Sequence, residues 1–268
     1  MALQISISNL VGNPEFREAT PVIHTPFISE WKTTAVDETV TLPYQTNGSY
    51  NGTIDWGDGE TSPNKYENRT HTYKFPGTYT ITIDGRVRLF RFANEGDKDK
   101  IYRIVQWGSR FDLGGGAQNF YGCSNLDLSE VTDILILYRS NQLSNAVSFR
   151  DLFRDCTSLT TINRFEEWDT QRIFFMQRCF QDATLFNQNI GDLNISNVTN
   201  FTNFMLGKTF SDFSTANYDA LLIGWAAQAV QPNLSINFGT IKRTAASDAA
   251  KSVLISAPNN WTIVDGGI

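Results

Sequence analysis

The sequence lacks any stretch built to cross a membrane: no apolar run approaches the ~20 residues that a spanning helix needs. Its first ten residues, Met-Ala-Leu-Gln-Ile-Ser-Ile-Ser-Asn-Leu, have no basic start, no useful apolar core and no small-residue cleavage site. As written they do not form a secretory signal. Positive charge is also short, with 22 Lys and Arg against 28 Asp and Glu, a net charge of −6. A phosphate backbone requires a basic face, so nucleic acid is not an expected partner. Histidine is limited to His24 and His71, and cysteine to Cys123, Cys156 and Cys179. With no Cys-x-x-Cys pair and so few histidines, a zinc site is not expected. Three thiols cannot all pair within one chain, and a secreted disulfide scaffold carries more of them in even number. All three are therefore read as buried free thiols.

Catalytic signatures are missing as well. There is no nucleophile elbow, phosphate loop or zinc motif. Gly114-Gly115-Gly116 lacks the lysine of a phosphate loop and reads as a plain loop. Glu166 and Glu167 are adjacent in sequence, so their side chains diverge and do not form an acid–base pair. The expectation is a non-enzymatic chain with no cofactor and no catalytic or metal-ligating residues. No ligand-binding residues can be named from the sequence.

What is present is an ordinary globular composition. Aromatic residues make up 13% of the 268, more than a disordered chain carries, and the length suffices for two modest domains. From Trp31 to about Trp107, short apolar runs alternate with turn residues. In Thr78-Tyr-Thr-Ile-Thr-Ile-Asp84, Tyr79, Ile81 and Ile83 share one face and the threonines the other, the period of a half-buried strand. Several such strands with frequent turns predict a β-sandwich. The run Trp56-Gly-Asp-Gly59, with His71-Thr-Tyr and Pro76-Gly-Thr-Tyr-Thr-Ile-Thr-Ile83, resembles the PKD domain, an immunoglobulin-like sandwich found mainly as a spacer or interaction module. That resemblance implies a core role for Trp56 and a turn shaped by Asp55 and Asp58. Asp55, Asp58 and Glu60 are also the candidate calcium ligands. The turn reading is preferred because the full ligand series of a calcium loop is absent. His71 has no nucleophile or carboxylate implied by its spacing and reads as a structural residue.

The second half repeats itself. Phe149-Arg-Asp-Leu-Phe153, Met176-Gln-Arg-Cys-Phe180 and Phe201-Thr-Asn-Phe-Met205 share one pattern, with a weaker copy ending at Phe120. After the Phe comes a small residue (Cys123, Cys156, Ala183), then Leu126, Leu159 or Phe186. Such units cannot bury an apolar face alone, so stacking into columns is expected, with the cysteines as interior fillers. Cys179 matches Leu152 and Phe204 and is also expected inside. Cys179-Phe-Gln-Asp-Ala-Thr-Leu-Phe-Asn-Gln-Asn-Ile190 and Asn194-Ile-Ser-Asn-Val-Thr-Asn200 resemble the BspA-like leucine-rich repeats, also described in Mycoplasma lipoproteins. The segment from Asn94 to Gly108 and the run Ser214 to Trp225 are similar to the flanks of such arrays in Bacteroidetes proteins. The asparagines of the last repeat, including the sequons at Asn194, Asn197 and Asn200, are expected to point outward. They arise from an Asn/Thr-rich composition and imply no glycosylation. A capping helix is expected from Ser214 or Thr215, burying Tyr218, Leu221, Leu222, Trp225 and Ala229. A second helix is expected over about Thr244 to Ser256, then a strand over Trp261-Thr-Ile-Val264.

The expected fold is mainly β with some α. An immunoglobulin/PKD-like sandwich spans residues 26–107, and a short leucine-rich-like repeat solenoid with a helical C-terminal cap spans 108–268. Residues 1–25 fall outside both resemblances and are expected to be an anchoring arm. By analogy with both families the expected function is structural or adhesive. The favoured setting is a phage virion surface, as capsid decoration or tail fibre, because virions assemble without an export signal. Its partners would be other virion proteins or copies of itself, in a homo-oligomer. The alternative is a bacterial surface adhesin binding a glycan or host protein. No membrane insertion is expected.

Overall fold

A computed structural model describes residues 24–115, 117–137 and 147–268. The expected arm over residues 1–25 lies, apart from its last two residues, outside them. The described chain is mainly β, with two α-helices near the C-terminus. Among the described residues no helix is long and apolar enough to cross a membrane.

The first part holds eight strands: β1 (Phe27–Thr33), β2 (Glu38–Thr41), β3 (Tyr44–Asp55), β4 (Thr61–Pro63), β5 (Thr70–Tyr73), β6 (Gly77–Phe90), β7 (Ile101–Gln106) and β8 (Phe111–Asp112). The large sheet runs β4-β3-β6-β1-β7, with β8 alongside β6, and β2 and β5 pair separately. β6 shows why the alternation matters. Ile81 and Ile83 are fully buried, while Thr78 and Thr80 face solvent. β3 and β6 approach most closely where Gly52 lies opposite Gly85. Both have positive φ, and a Cβ on Gly52 would sit 1.8 Å from the Asp84 carbonyl oxygen, so the crossing requires glycine. Val40 and Tyr73 carry the small β2–β5 sheet into the same core as Trp31 and Trp56.

The boundary expected at residue 107 is not a break in packing. β8, at 111–112, hydrogen-bonds parallel to β6. One buried cluster continues from Phe27 to Trp261. Trp107 makes the link, with its ring 5.4 Å from Phe111 and 5.8 Å from both Phe120 and Trp168.

Beyond Trp107 the chain forms rungs of successive tight turns, with little strand. In the rung around Phe149–Cys156 the backbone donors alternate. Phe149, Asp151, Phe153 and Asp155 donate to the carbonyls of Phe175, Gln177, Cys179 and Gln181 in the next rung. Leu152, Arg154 and Cys156 donate three residues back, to Phe149, Asp151 and Phe153. The rung at Met176–Ala183 repeats this, with Met176, Arg178, Phe180 and Asp182 donating to Asn200, Thr202, Phe204 and Leu206. A buried backbone amide needs a partner, and each rung meets that need half from itself and half from its neighbour. Each rung also has two left-handed residues four apart: Gln118 and Gly122, Asp151 and Asp155, Arg178 and Asp182, Asn203 and Gly207.

The side chains follow the backbone. Phe120, Phe153 and Phe180 stack nearly parallel at 5.9 and 5.7 Å, inside the distance range where ring pairs attract. Cys123, Cys156 and Ala183 form the small-residue column and are all fully buried. A second, parallel ribbon holds the rungs together. It runs through β9 (Val147–Ser148), β10 (Ile173–Phe175), the bridges Phe175 to Asn200 and Phe201 to Ile236, then β11 (Ser235–Asn237) and β12 (Thr262–Val264).

α1 (Thr215–Ala226) and α2 (Asp248–Ile255) close the far end. Ser214 caps α1, its hydroxyl accepting from Asn217 N at 3.2 Å. Tyr218, Leu221, Leu222 and Trp225 face inward. Ala229 lies beyond the end of the helix. Gly224 abuts Gly191 so closely that a Cβ would stand 2.4 Å from the Gly191 carbonyl oxygen.

Candidate functional site

The acidic turn that carried the calcium alternative is held together by its own hydrogen bonds. Asp55 Oδ1 accepts from Gly57 N at 2.9 Å and Asp58 Oδ1 from Glu60 N at 3.1 Å. Asp58 Oδ2 lies 2.7 Å from His71 Nε2, while the exposed Glu60 reaches only to 4.0 Å from the same ring. Burial works against the Asp58 charge. The contacts with His71 and the Glu60 amide outweigh it and hold the carboxyl below its usual range. His71 also stacks on Trp56 at 4.9 Å, which fixes its ring. Among the described residues no three His, Cys, Asp or Glu side chains are placed to hold a metal ion.

The three cysteines are free and fully buried. Burial pushes all three thiols up, away from the thiolate form that reacts. Cys156 Sγ instead donates to the Phe120 carbonyl at 3.1 Å. Glu167 is taken by Arg164, through contacts of 2.7 and 2.9 Å, and does not pair with Glu166. Asn194 and Asn197 are outward, as expected, yet both are tied down. Asn194 Oδ1 accepts from Ser196, and Asn197 Nδ2 donates to the Gln171 carbonyl of the previous rung at 2.7 Å.

Two charged features were not legible as sites in the sequence. The first is Asp151, whose carboxylate is wholly buried in the stack. Arg178 grips it through Nε at 2.6 Å and Nη2 at 2.9 Å. Arg154 and Arg150 stand at 3.6 and 3.8 Å.

The second is a pocket of about 470 Å³ where the sheet meets the first rungs. Arg88, Arg91 and Arg150 line it with Gln45, Asn47 and Gly114, and among the described residues no acidic side chain lines it. Arg88 is steadied from behind by Asp112 at 3.4 Å. Arg91 donates to the Gln118 amide oxygen and, among the described residues, forms no ion pair. Arg91 Nε is buried without a hydrogen-bond partner, and Arg88 Nε has its ion pair with Asp112 but no hydrogen bond. The wall itself is strained. Leu89 has φ of 68°, an outlier for a bulky residue, at a cost on the order of 1–3 kcal/mol. Two contacts hold it there: Tyr50 Oη donates to the Leu89 carbonyl at 2.9 Å, and Gly114 packs so close that a Cβ would lie 2.4 Å from Leu89 Cδ2. Gly114 and Gly115, in the run read as a loop, line the basic pocket. The missing signal was spacing: Arg150 is brought to Arg88 and Arg91 only by the fold.

No curated protein and no solved structure matches the chain. Residues 146–232, about a third of the chain, match the family model described as "Mycoplasma protein of unknown function, DUF285". That match spans the regular rungs and α1.

Proposed function

We propose that this protein is a non-enzymatic structural or interaction protein, displayed on the surface of a phage particle as capsid decoration or tail fibre and assembling with copies of itself. The fold behind the reading is a PKD-like sandwich carrying a short array of leucine-rich-like repeats. The buried Trp56 behind the Asp58 turn supports the first part, and the laddered rungs support the second. The observation that carries the reading is where the reactive groups are. The Cys156 thiol, the buried carboxylate of Asp151 and the buried Lys208 each bond from one rung to another, the other two thiols are buried, and His71 is held by Asp58. Stacked turns of this kind offer a rigid scaffold for contacts.

The test is mass spectrometry of purified phage particles beside washed host envelopes. Peptides abundant in particles support the virion setting, and deleting residues 1–25 should then abolish incorporation while the rest stays folded. Peptides confined to envelopes overturn it and make the protein a bacterial surface adhesin.

A further inference from the structure

The geometry points to the Arg88–Arg91–Arg150 pocket as a binding site for the anionic group of an acidic oligosaccharide, a uronate carboxylate or a sulfate ester. The inference rests on reading the protein as an interaction module, and not on the phage setting.

Charge is the first argument. The whole chain carries −6, yet the lining of this one pocket carries three guanidinium groups and, among the described residues, no carboxylate. Arg88 and Arg150 have acidic partners outside the lining, Asp112 and Asp151, which orient them. Arg91 donates to the Gln118 amide oxygen and forms no ion pair among the described residues; Glu95 and Asp97 line a second pocket with it. The planar guanidinium donors suit a carboxylate or sulfate, which accepts through two oxygens.

Shape narrows the ligand. At about 470 Å³ the pocket lies within the ~300–1,000 Å³ of small-molecule sites. It shares Gln45 and Arg91 with a smaller pocket of about 240 Å³, which Glu95 and Asp97 line, so the two form no track of cations. Nucleic acid is thereby disfavoured, since it needs a track of cations along its backbone. Among the described residues the lining has no aromatic ring and offers the Gln45 and Asn47 amides beside the arginines. A peptide would anchor through apolar or aromatic side chains; a hydroxyl-rich sugar ring bearing one charge fits the polar walls. The wall is also preformed. Gln45 Nε2 is fixed to the Arg91 carbonyl at 3.0 Å, and Leu89 is locked by Tyr50 and Gly114. A rigid site loses little freedom on binding.

The experiment is calorimetric titration of the full chain with four probes: an oligogalacturonate, a sulfated dextran oligomer, a neutral malto-oligosaccharide and a glutamate-rich peptide. The expected result is binding of one or both acidic sugars, weakened by added salt, with no binding of the neutral sugar. Binding of the oligogalacturonate alone identifies a carboxylate site, and of the sulfated oligomer alone a sulfate site. Arg91→Gln should weaken the acidic sugar about tenfold or more, the loss of one charge-assisted contact. Arg91 is partly enclosed, so Arg150→Gln, at an exposed position, is the second variant and should weaken binding with only a small change in melting temperature, because Arg178 keeps its two-point bridge to Asp151. Equal binding of the neutral sugar, tighter binding of the peptide, no binding of either acidic sugar, or unchanged affinity in both variants would overturn the inference. None of these outcomes bears on whether the protein is found in particles.

Discussion

Asp151 and Arg178 occupy the same left-handed position in adjacent rungs, with φ of 56° and 51°, and are joined by a two-point bridge of 2.6 and 2.9 Å. Aspartate tolerates that backbone region; arginine rarely visits it. The bridge therefore does two things. It offsets the strain at Arg178, and it partners a carboxylate that has no access to water.

Removing the carboxylate should expose both effects. Asp151→Ala takes the shared anion from Arg150, Arg154 and Arg178, leaving Arg154 only Asp155 at 4.0 Å, and is expected to cost about 3 kcal/mol. That is the low end for breaking a buried pair, because Arg178 keeps some contact with solvent. Urea unfolding measures it. The loss should persist in high salt, since a buried pair is little screened. A loss below about 1 kcal/mol, the range of exposed pairs, would show that the bridge is not structural.

Lys208 makes a second case of charge inside the stack. It follows Met205 by three residues, as Cys156 follows Phe153, and so takes the small-residue position of the last rung. Its ammonium donates to the carbonyls of Ala183 at 2.6 Å and Thr184 at 3.1 Å, just as the Cys156 thiol reaches back to Phe120. Burial pushes its pKa down to about 8, from 10.5. Between those two values the unfolded chain binds the proton and the folded chain does not, so this group makes stability rise with pH from about 8 to 10.5. Below pH 8 the buried charge opposes folding by an amount on the order of 3 kcal/mol. The unfolding free energy of the wild type minus that of Lys208→Met should increase between pH 7 and pH 10. A flat difference would mean that Lys208 reaches water.

The parts of the fold that were legible are those in which chemistry repeats. Phe120, Phe153 and Phe180 announce a column because stacked rungs place like residues at like depth. The small residues at Cys123, Cys156 and Ala183 follow for the same reason. Lys208 hid the fourth member of that column, since nothing local distinguishes a lysine that turns inward from one that does not. The left-handed positions were hidden by their variety: glutamine, aspartate, arginine and asparagine fill the first of them. The described repeats are mostly turns. Two left-handed residues in each rung interrupt an extended chain, which hydrophobic spacing does not record. The basic pocket was least legible of all, because Arg88 and Arg150 share no element and their meeting is a product of the join between sheet and stack.

The cysteines offer a direct probe of that join. Cys123, Cys156 and Cys179 lie in successive rungs, all fully buried, and burial holds their thiols above the ordinary range. In the native protein a disulfide reagent such as DTNB should find almost no thiolate to attack at pH 8, and all three thiols should react at once in guanidinium. Any slow native reaction must then pass through opening of the stack, so its rate reports local stability. Cys123 lies closest to the sheet and Cys179 furthest into the rungs. If the core is continuous across the join, the three should react with one common rate, and single-cysteine variants would measure it. A faster Cys123 would place a weak seam at the first rung. Prompt reaction of Cys156 would mean that its bond to the Phe120 carbonyl does not hold, and with it the stacking of the first two rungs.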